Sequence, residues 1–328
     1  MNAYIYINYN NIVVLKEYLD VIKSALEEVG YNCNYVKTLH GIKKSELIVY
    51  PMGVDAFRYY VRGYKTFIVW QQGATADESY MRNHSWIRRL VLNQIDIFCM
   101  KQSKFILFVS EYMKKHYEQL AGMNFSNKSY VMPCFNEKYN KNIFETKDYD
   151  KKVFTYVGSL DLWQCFEETA DIYAEIEKKL DNTMFKVLTF QEDRAEEILK
   201  SKGIKHYEVK QVPKEKVKYE LQTCTYGFVI REDNIVNRVA TPTKISSYLA
   251  AGVIPIFSSC LEDFRKISDK YQIGYIVKNK RDIEGMIEYI NLKKDKNFLC
   301  DTINVIFDSY YNKDRHALNI ANILQKRL

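Results

Sequence analysis

Hydrophobic and polar positions alternate in blocks along the chain. In the first half, the short apolar runs "AYIYI" (3–7), "YNCNYV", "ELIVYP", "TFIVW" and "KFILFVS" (104–110) read as strands. Between most of them lie stretches with apolar residues at helical spacing: 11–30, closed by a glycine, then 82–100 and 111–122. Short apolar strands separated by helices predict a parallel sheet covered on both faces. After "SYVMPCFN" (129–136) the pattern breaks, and the polar run 137–152 predicts a linker. A second alternating series follows: "VFTYVG" (153–158), a helix over 163–180, "MFKVLTF" (184–190), a helix over 192–201, "YEVKQV", a helix over 214–222, and "YGFVI" (226–230). It continues through a helix near 242–251, "VIPIF" (253–257), "GYIV" and a helical tail from about 295. Phe166, Tyr173, Ile176 and Leu180 recur at helical spacing, as a core-facing stripe does. The fold class predicted is α/β, two Rossmann-like domains in tandem with a cleft between them, the first over 1–138 and the second over 150–311.

Composition narrows the class. At 328 residues the chain is long for one core, which agrees with two domains. A hydrophobic content of 47% and a charged content of 27% are those of a soluble globular protein, and no apolar run approaches a membrane span. The start, "MNAYIYINYN", lacks the pattern of a secretory signal. The cysteines at 33, 99, 134, 165, 224, 260 and 300 are scattered, odd in number and without a C-x-x-C pair, so reduced packing residues in a cytoplasm are expected. A net charge of +7 favours anionic partners without choosing among them.

The motif search removes several chemistries. The dinucleotide G-x-G-x-x-G, the phosphate loop, H-E-x-x-H and G-x-S-x-G are all absent. Asp148 and Asp150 imitate a D-x-D metal site, but they lie in the polar run and not after an apolar strand. The run "REDNIVNRVATPTKISSYLAAGVIPIF" (231–257) carries the chemistry. Strand 226–230 delivers Arg231 to the carboxyl edge of the second sheet, where open α/β sheets bind ligands. Thr241 as N-cap and Pro242 as first helical residue predict a helix whose free N–H groups face a ligand, stopped by Gly252. Lys244 stands in its first turn, where a cation is disfavoured by about 0.3–1 kcal/mol unless an anion binds there. Arg231, Arg238, Lys244 and the helix end are therefore expected to converge on a diphosphate. The competing reading of the same charges is a solvated surface paired with Glu232 and Asp233.

These residues resemble those of the GT-B glycosyltransferases, group 1 (family 4-like), of bacterial polysaccharide biosynthesis. "WQQGATADESYMRNHSWIRR" (70–89), "FVSEYMKKHYE" (108–118), "VMPCFN" (131–136), "YVGSLDLWQCFEE" (156–168) and the 231–257 run are similar to that group's segments, in its order. The resemblance implies a nucleotide-diphosphate-sugar held by the second domain and a glycan or lipid-linked glycan acceptor held by the first. It also implies a final helix, about 312–328, that crosses back to the first domain. No cofactor and no metal are expected, and anomeric configuration is expected to be retained. Donor binding is implied for Gly158, Ser159, Arg231, Asn234, Asn237, Arg238, Thr241, Thr243, Lys244 and Ser247. At 247 this chain has serine where the family's ribose-holding glutamate stands, and "GSLDLWQ" lacks the family's basic pair, offering Ser159 and Gln164. "NYNN" replaces a glycine-rich loop, and Ala76 stands where proline is usual.

Arg231, Lys244, His84 and Glu78 are the expected catalytic residues, and Gln72, Gly73 and Asp77 the expected acceptor-binding ones. Each has a plainer alternative: turn geometry for Gly73, helix capping for Asp77 and Glu78, partial burial for His84 and core filling for Trp163. Trp86, Arg88 and Arg89 mix bulky apolar and basic side chains, which suits an anionic membrane surface and equally a helix packed on its own sheet. The expectation is a cytoplasmic enzyme, peripheral to the cell membrane, acting in capsule, O-antigen or exopolysaccharide assembly without nucleic acid. Its competitors are a GT-B nucleotide-sugar epimerase, a non-catalytic GT-B partner, for which Ser247 argues, and a two-domain solute-binding protein.

Overall fold

The structure, a computed structural model, describes residues 1–7, 12–135, 138–278 and 282–327, the side chains of 12–14 excepted. The segment "NYNN" therefore lies outside the described residues. The chain divides into two compact units: Met1–Cys134 with Arg238–Thr241 and Asn312–Leu328, and Phe135–Asn237 with Pro242–Tyr311.

The first unit holds strands β1 (Asn2–Tyr6), β2 (Asn32–Val36), β3 (Leu47–Tyr50), β4 (Phe67–Gln71), β5 (Phe105–Phe108) and β6 (Ser129–Val131). They form one parallel sheet in the order β2-β1-β3-β4-β5-β6, with Ile68 opposite Phe105 and Val69 opposite Ile106. Every residue of β3, β4 and β5 is buried, which is why those strands read as unbroken apolar runs instead of alternating ones. The last helix, Lys313–Leu324, packs on the first, Ile12–Glu28. The expected helix over 82–100 is two helices, Thr75–Asn83 and Trp86–Gln102. The break is local chemistry: His84 adopts a left-handed conformation with φ 51°, and the Ser85 hydroxyl accepts from the Arg88 N–H to start the second helix.

The second unit repeats the architecture with β7 (Lys152–Val157), β8 (Thr183–Leu188), β9 (Tyr207–Lys210), β10 (Tyr226–Val229), β11 (Ile254–Ser258) and β12 (Tyr275–Val277). The order is β12-β11-β10-β7-β8-β9, all parallel. An aromatic core of Phe154, Tyr173, Phe185, Tyr226 and Phe228 fixes the central strands. Connections leave β7 and β10 in opposite directions, so the carboxyl ends of these two neighbours flank a topological switch point.

The run expected as a linker, 137–152, belongs largely to this second unit. Phe144 is buried, and buried Lys147 donates to the carbonyls of Leu221 (3.3 Å), Gln222 (3.3 Å) and Ala251 (2.8 Å). One lysine thereby satisfies the terminal carbonyls of two helices, Lys214–Gln222 and Thr243–Ala250. The helical tail is likewise two helices, with Asp295 capping Lys296–Ser309 and Asn312 capping Lys313–Leu324.

Candidate functional site

The switch point of the second unit gathers side chains from both flanking strands. β7 runs into Gly158, whose φ of 129° is a conformation that side-chain-bearing residues avoid, and a Cβ there would lie 3.6 Å from Lys244 Nζ. A single 3₁₀ turn, Leu162–Gln164, follows and ends at Cys165, φ 50°. β10 runs through Ile230 into Arg231, and the helix Thr243–Ala250 begins a short connection later.

Arg231 and Lys244 are both buried, 7% and 9% exposed, and both point at Gln164. Arg231 Nη1 donates to the carbonyls of Gln164 (2.8 Å) and Ile230 (3.2 Å), while Nη2 donates to the Gln164 side-chain oxygen. Lys244 Nζ donates to that same oxygen at 2.9 Å and lies 4.2 Å from the centre of the Tyr156 ring. Among the described residues no carboxylate is ion-paired with either cation. Burial, and after it the adjacent Arg231 charge, holds the Lys244 ammonium well below the ordinary lysine range. Burial lowers the Arg231 guanidinium as well. The helix adds to the positive field: no side chain caps its N-terminus, and Lys244 is its second residue.

Two expectations about this helix are corrected. It starts at Thr243, and Thr241 does not cap it. The Thr241 hydroxyl accepts from Cys134 N–H (3.0 Å) and donates to Val109 carbonyl (3.3 Å), so its hydrogen-bonding capacity is used within the first unit. Arg238 also belongs to the first unit, where Nη1 donates to Tyr112 OH at 3.1 Å. The asparagines shape the turn after β10. Asn234 Oδ1 accepts from Asn237 N–H (3.1 Å), and Asn237 Nδ2 donates to Glu232 carbonyl (3.0 Å), leaving Asn237 Oδ1 buried with no partner among the described residues. Thr243 carbonyl accepts from the hydroxyls of Ser246 (2.9 Å) and Ser247 (3.3 Å). Ser247 lines a separate cavity of about 410 Å³ between the 243–250 helix, Tyr219 and Ile143. Ser159 hydroxyl donates to Asp161 at 2.7 Å, and its carbonyl accepts from Tyr156 OH.

The first unit carries the expected acceptor residues at the carboxyl end of β4. Gln72 Nε2 donates to Pro51 carbonyl at 2.7 Å. A Cβ at Gly73 would lie 2.2 Å from Glu78 Oε1, so a larger residue there would have to push the end of the Glu78 side chain aside. Burial raises the Glu78 carboxyl. Asp77, expected to bind sugar hydroxyls, is instead buried: Arg89 Nη2 donates to Oδ1 at 2.7 Å, and His116 Nε2 stands 4.0 Å from Oδ2. Arg89, expected at a membrane, is thus committed to Asp77, and it also lies 5.4 Å from the Tyr80 ring centre. His84 is an exposed helix terminus. Trp86, Ile87, Leu90 and Val91 are all exposed, with Arg88 among them.

Two groups of residues lay outside the sequence-derived site. Gln164 and Tyr156 complete the cation cluster; their signal was a polar side chain standing where a basic pair was missing. Asp96 is the other. Wholly buried beside Gly53, it accepts from Gln71 Nε2 (3.2 Å) and Tyr117 OH (3.1 Å), and burial pushes its carboxyl up to about 7. A lone acid inside the apolar run "LVLNQIDIFCM" was its signal.

No family model matches the sequence, and no curated protein matches it. Solved structures do resemble it. WaaG, a glycosyltransferase involved in lipopolysaccharide biosynthesis, superposes with a TM-score of 0.66 at 9% identity, covering 98% of this chain and 99% of its own. The lipopolysaccharide outer core galactosyltransferase WaaB gives 0.62 at 12%, covering 100% and 99%. A mutant of TarM from S. aureus, in complex with fondaparinux, α-GlcNAc-glycerol and UDP, gives 0.62 at 8%, covering 85% of this chain but 56% of TarM. At such identities the likeness establishes the fold alone: the chain has the GT-B fold.

Proposed function

We propose that the protein is a glycosyltransferase that moves a sugar from a nucleotide-diphosphate-sugar to a glycan or lipid-linked glycan acceptor. One observation carries this reading: two buried cations, Arg231 and Lys244, converge on a single oxygen with no carboxylate ion-paired to either among the described residues. When the sugar–phosphate bond breaks, positive charge builds at the sugar and negative charge on the departing diphosphate. Preorganised positive groups in a water-poor pocket stabilise that charge most effectively. Arg231, Lys244 and the uncapped helix end supply it from the protein itself, which supports a departure that does not depend on a metal. We take transfer to be retaining, because this arrangement serves the leaving group and demands no carboxylate base beside it.

Acceptor binding is assigned to the first unit, with Gln72, Gly73 and Glu78 at the end of β4. WaaG is a glycosyltransferase involved in lipopolysaccharide biosynthesis and WaaB a lipopolysaccharide outer core galactosyltransferase, which supports a place in capsule, O-antigen or exopolysaccharide synthesis. Trp86, Ile87, Leu90 and Val91, with Arg88, form an apolar and basic helix face suited to the anionic inner leaflet of the membrane. No helix among the described residues is long and apolar enough to cross a membrane. The test is thermal unfolding with UDP, GDP and other nucleoside diphosphates. One of them should raise Tm, and Arg231→Ala and Lys244→Ala should each abolish the rise. An unchanged rise in both variants would remove the proposed donor site.

A further inference from the structure

Among the described residues Gln164 is the one hydrogen-bond partner of Lys244 Nζ, and its side-chain oxygen is also the acceptor of Arg231 Nη2. Two donors, each within hydrogen-bonding distance of one atom, mark a point in space built for a shared anionic oxygen. A neutral amide oxygen fills that point here. We propose that Gln164 is a stand-in ligand: its side-chain oxygen occupies the position of a phosphoryl oxygen, holds the two cations on that point, and is exchanged for the diphosphate when the donor binds. The proposal rests on the transferase reading only in the identity of the anion.

The geometry separates what stays from what leaves. Arg231 has two anchors that are backbone atoms, the carbonyls of Gln164 and Ile230, and these persist if the Gln164 side chain turns away. Only Nη2 and Lys244 Nζ are released, and both then face the incoming anion. The exchange needs rotation of one half-buried side chain, with the 3₁₀ turn kept by its own backbone bond from Gln164 N to Asp161 carbonyl (2.8 Å). The choice of amide also has a physical meaning. Glutamate at 164 would form a buried ion pair with both cations, and a diphosphate would then have to displace a charge. An amide satisfies the donors while leaving their charge uncompensated, so it is a weak competitor for its own site. Lys244 is further constrained from below by Tyr156, whose ring limits where the ammonium can go.

The test is calorimetric titration with inorganic pyrophosphate, alongside UDP and GDP, of the wild type, Gln164→Glu, Gln164→Ala and Gln164→Asn. Gln164→Glu should bind pyrophosphate at least 30-fold more weakly than wild type and unfold at higher temperature without ligand. Gln164→Ala should bind it 2- to 10-fold more tightly and unfold at lower temperature without ligand. Gln164→Asn, whose amide is one carbon shorter, should follow alanine and serves if the alanine variant does not fold. Any pattern in which the small variants bind no tighter than wild type, or in which glutamate binds as well, overturns the stand-in role. Wild type that binds pyrophosphate but no nucleoside diphosphate would instead overturn the transferase reading and leave Gln164 to be judged by the variants. If wild type and the small variants all fail to bind pyrophosphate, the stand-in role falls.

Discussion

Each unit buries a set of charges, and the two sets are resolved in opposite ways. In the first unit Asp77 and Asp96 are 4% and 1% exposed; in the second Arg231 and Lys244 are 7% and 9% exposed. The carboxylates are answered by the protein. Asp77 has Arg89, while Asp96 is held near neutrality by burial and receives hydrogen bonds from Gln71 and Tyr117. The cations have no ion-paired carboxylate among the described residues: they share one neutral oxygen, and Arg231 donates besides to two backbone carbonyls. A buried charge that is paired or neutralised belongs to the fold, whereas like charges buried together and left uncompensated store free energy that only a ligand can recover. This distinction, more than residue type, is what sets the proposed site apart from the scaffold in this chain.

The sharpest way to break the comparison is Lys244→Met. If the second unit's cations exist for a ligand, this variant should lose about 100-fold in nucleoside diphosphate affinity, on the order of 2–3 kcal/mol. It should also be more stable than wild type without ligand, by about 1–2 kcal/mol, because a desolvated ammonium beside Arg231 has been removed. Titration calorimetry and denaturant unfolding read the two quantities separately. A variant that loses affinity and stability together would show that Lys244 supports the fold.

Asp96 should give the next largest effect, and it depends on pH. Its carboxyl stands at about 7 in the folded chain against an ordinary 3.8. Between those values the folded state keeps a proton that the unfolded state has released. The stabilisation is therefore complete below about pH 4 and lost as pH rises through 7. At ~1.4 kcal/mol per unit the full swing is at most ~4 kcal/mol. Asp96→Asn cannot titrate, so the difference in Tm, variant minus wild type, should rise by several degrees between pH 4 and pH 8. A difference that stays flat with pH would mean that Asp96 is ionised throughout.

Asp77→Asn should be milder. It weakens the bond to Arg89, whose side chain is 44% exposed and can return to water, so the loss should be about 1–2 kcal/mol. Nucleotide affinity should not change. A fall in affinity without a fall in stability would return Asp77 to the ligand-binding residues.

The two sheets were legible because their central strands are apolar on both faces, and the glycine stop and capped turns marked most helix ends. The convergence of Arg231 and Lys244 was legible because both sit next to strand and helix ends at the carboxyl edge of the second sheet. Thr241 was misread as a helix cap for a reason invisible in a linear reading: the chain leaves the second unit for four residues, Arg238–Thr241, and returns. Asp77 was misread because an acid in a first helical turn looks the same whether it faces water or an arginine from the next helix. Gln164 was noticed only as a gap in a basic pattern, since nothing in sequence says that one amide will stand between two cations brought together from positions 67 and 80 residues away.

His84 tests a third case, an exposed residue whose presence backbone conformation explains. It ends the helix Thr75–Asn83 with φ 51° and ψ 24°, and its N–H donates to Tyr80 carbonyl at 2.8 Å. Asparagine tolerates that left-handed conformation better than other side-chain-bearing residues, and alanine does not. If His84 is a helix terminator, His84→Asn should match wild type within about 0.5 kcal/mol, and His84→Ala should lose about 1 kcal/mol. Neither should alter the nucleotide-induced rise in Tm. A residue that touches sugar or phosphate behaves differently, because both substitutions delete the imidazole and should weaken ligand effects equally, whatever their backbone preference. The ordering of the two variants, read by thermal unfolding with and without nucleotide, therefore decides whether His84 belongs with the proposed ligand-binding residues or, like Asp77, with those answered by the fold.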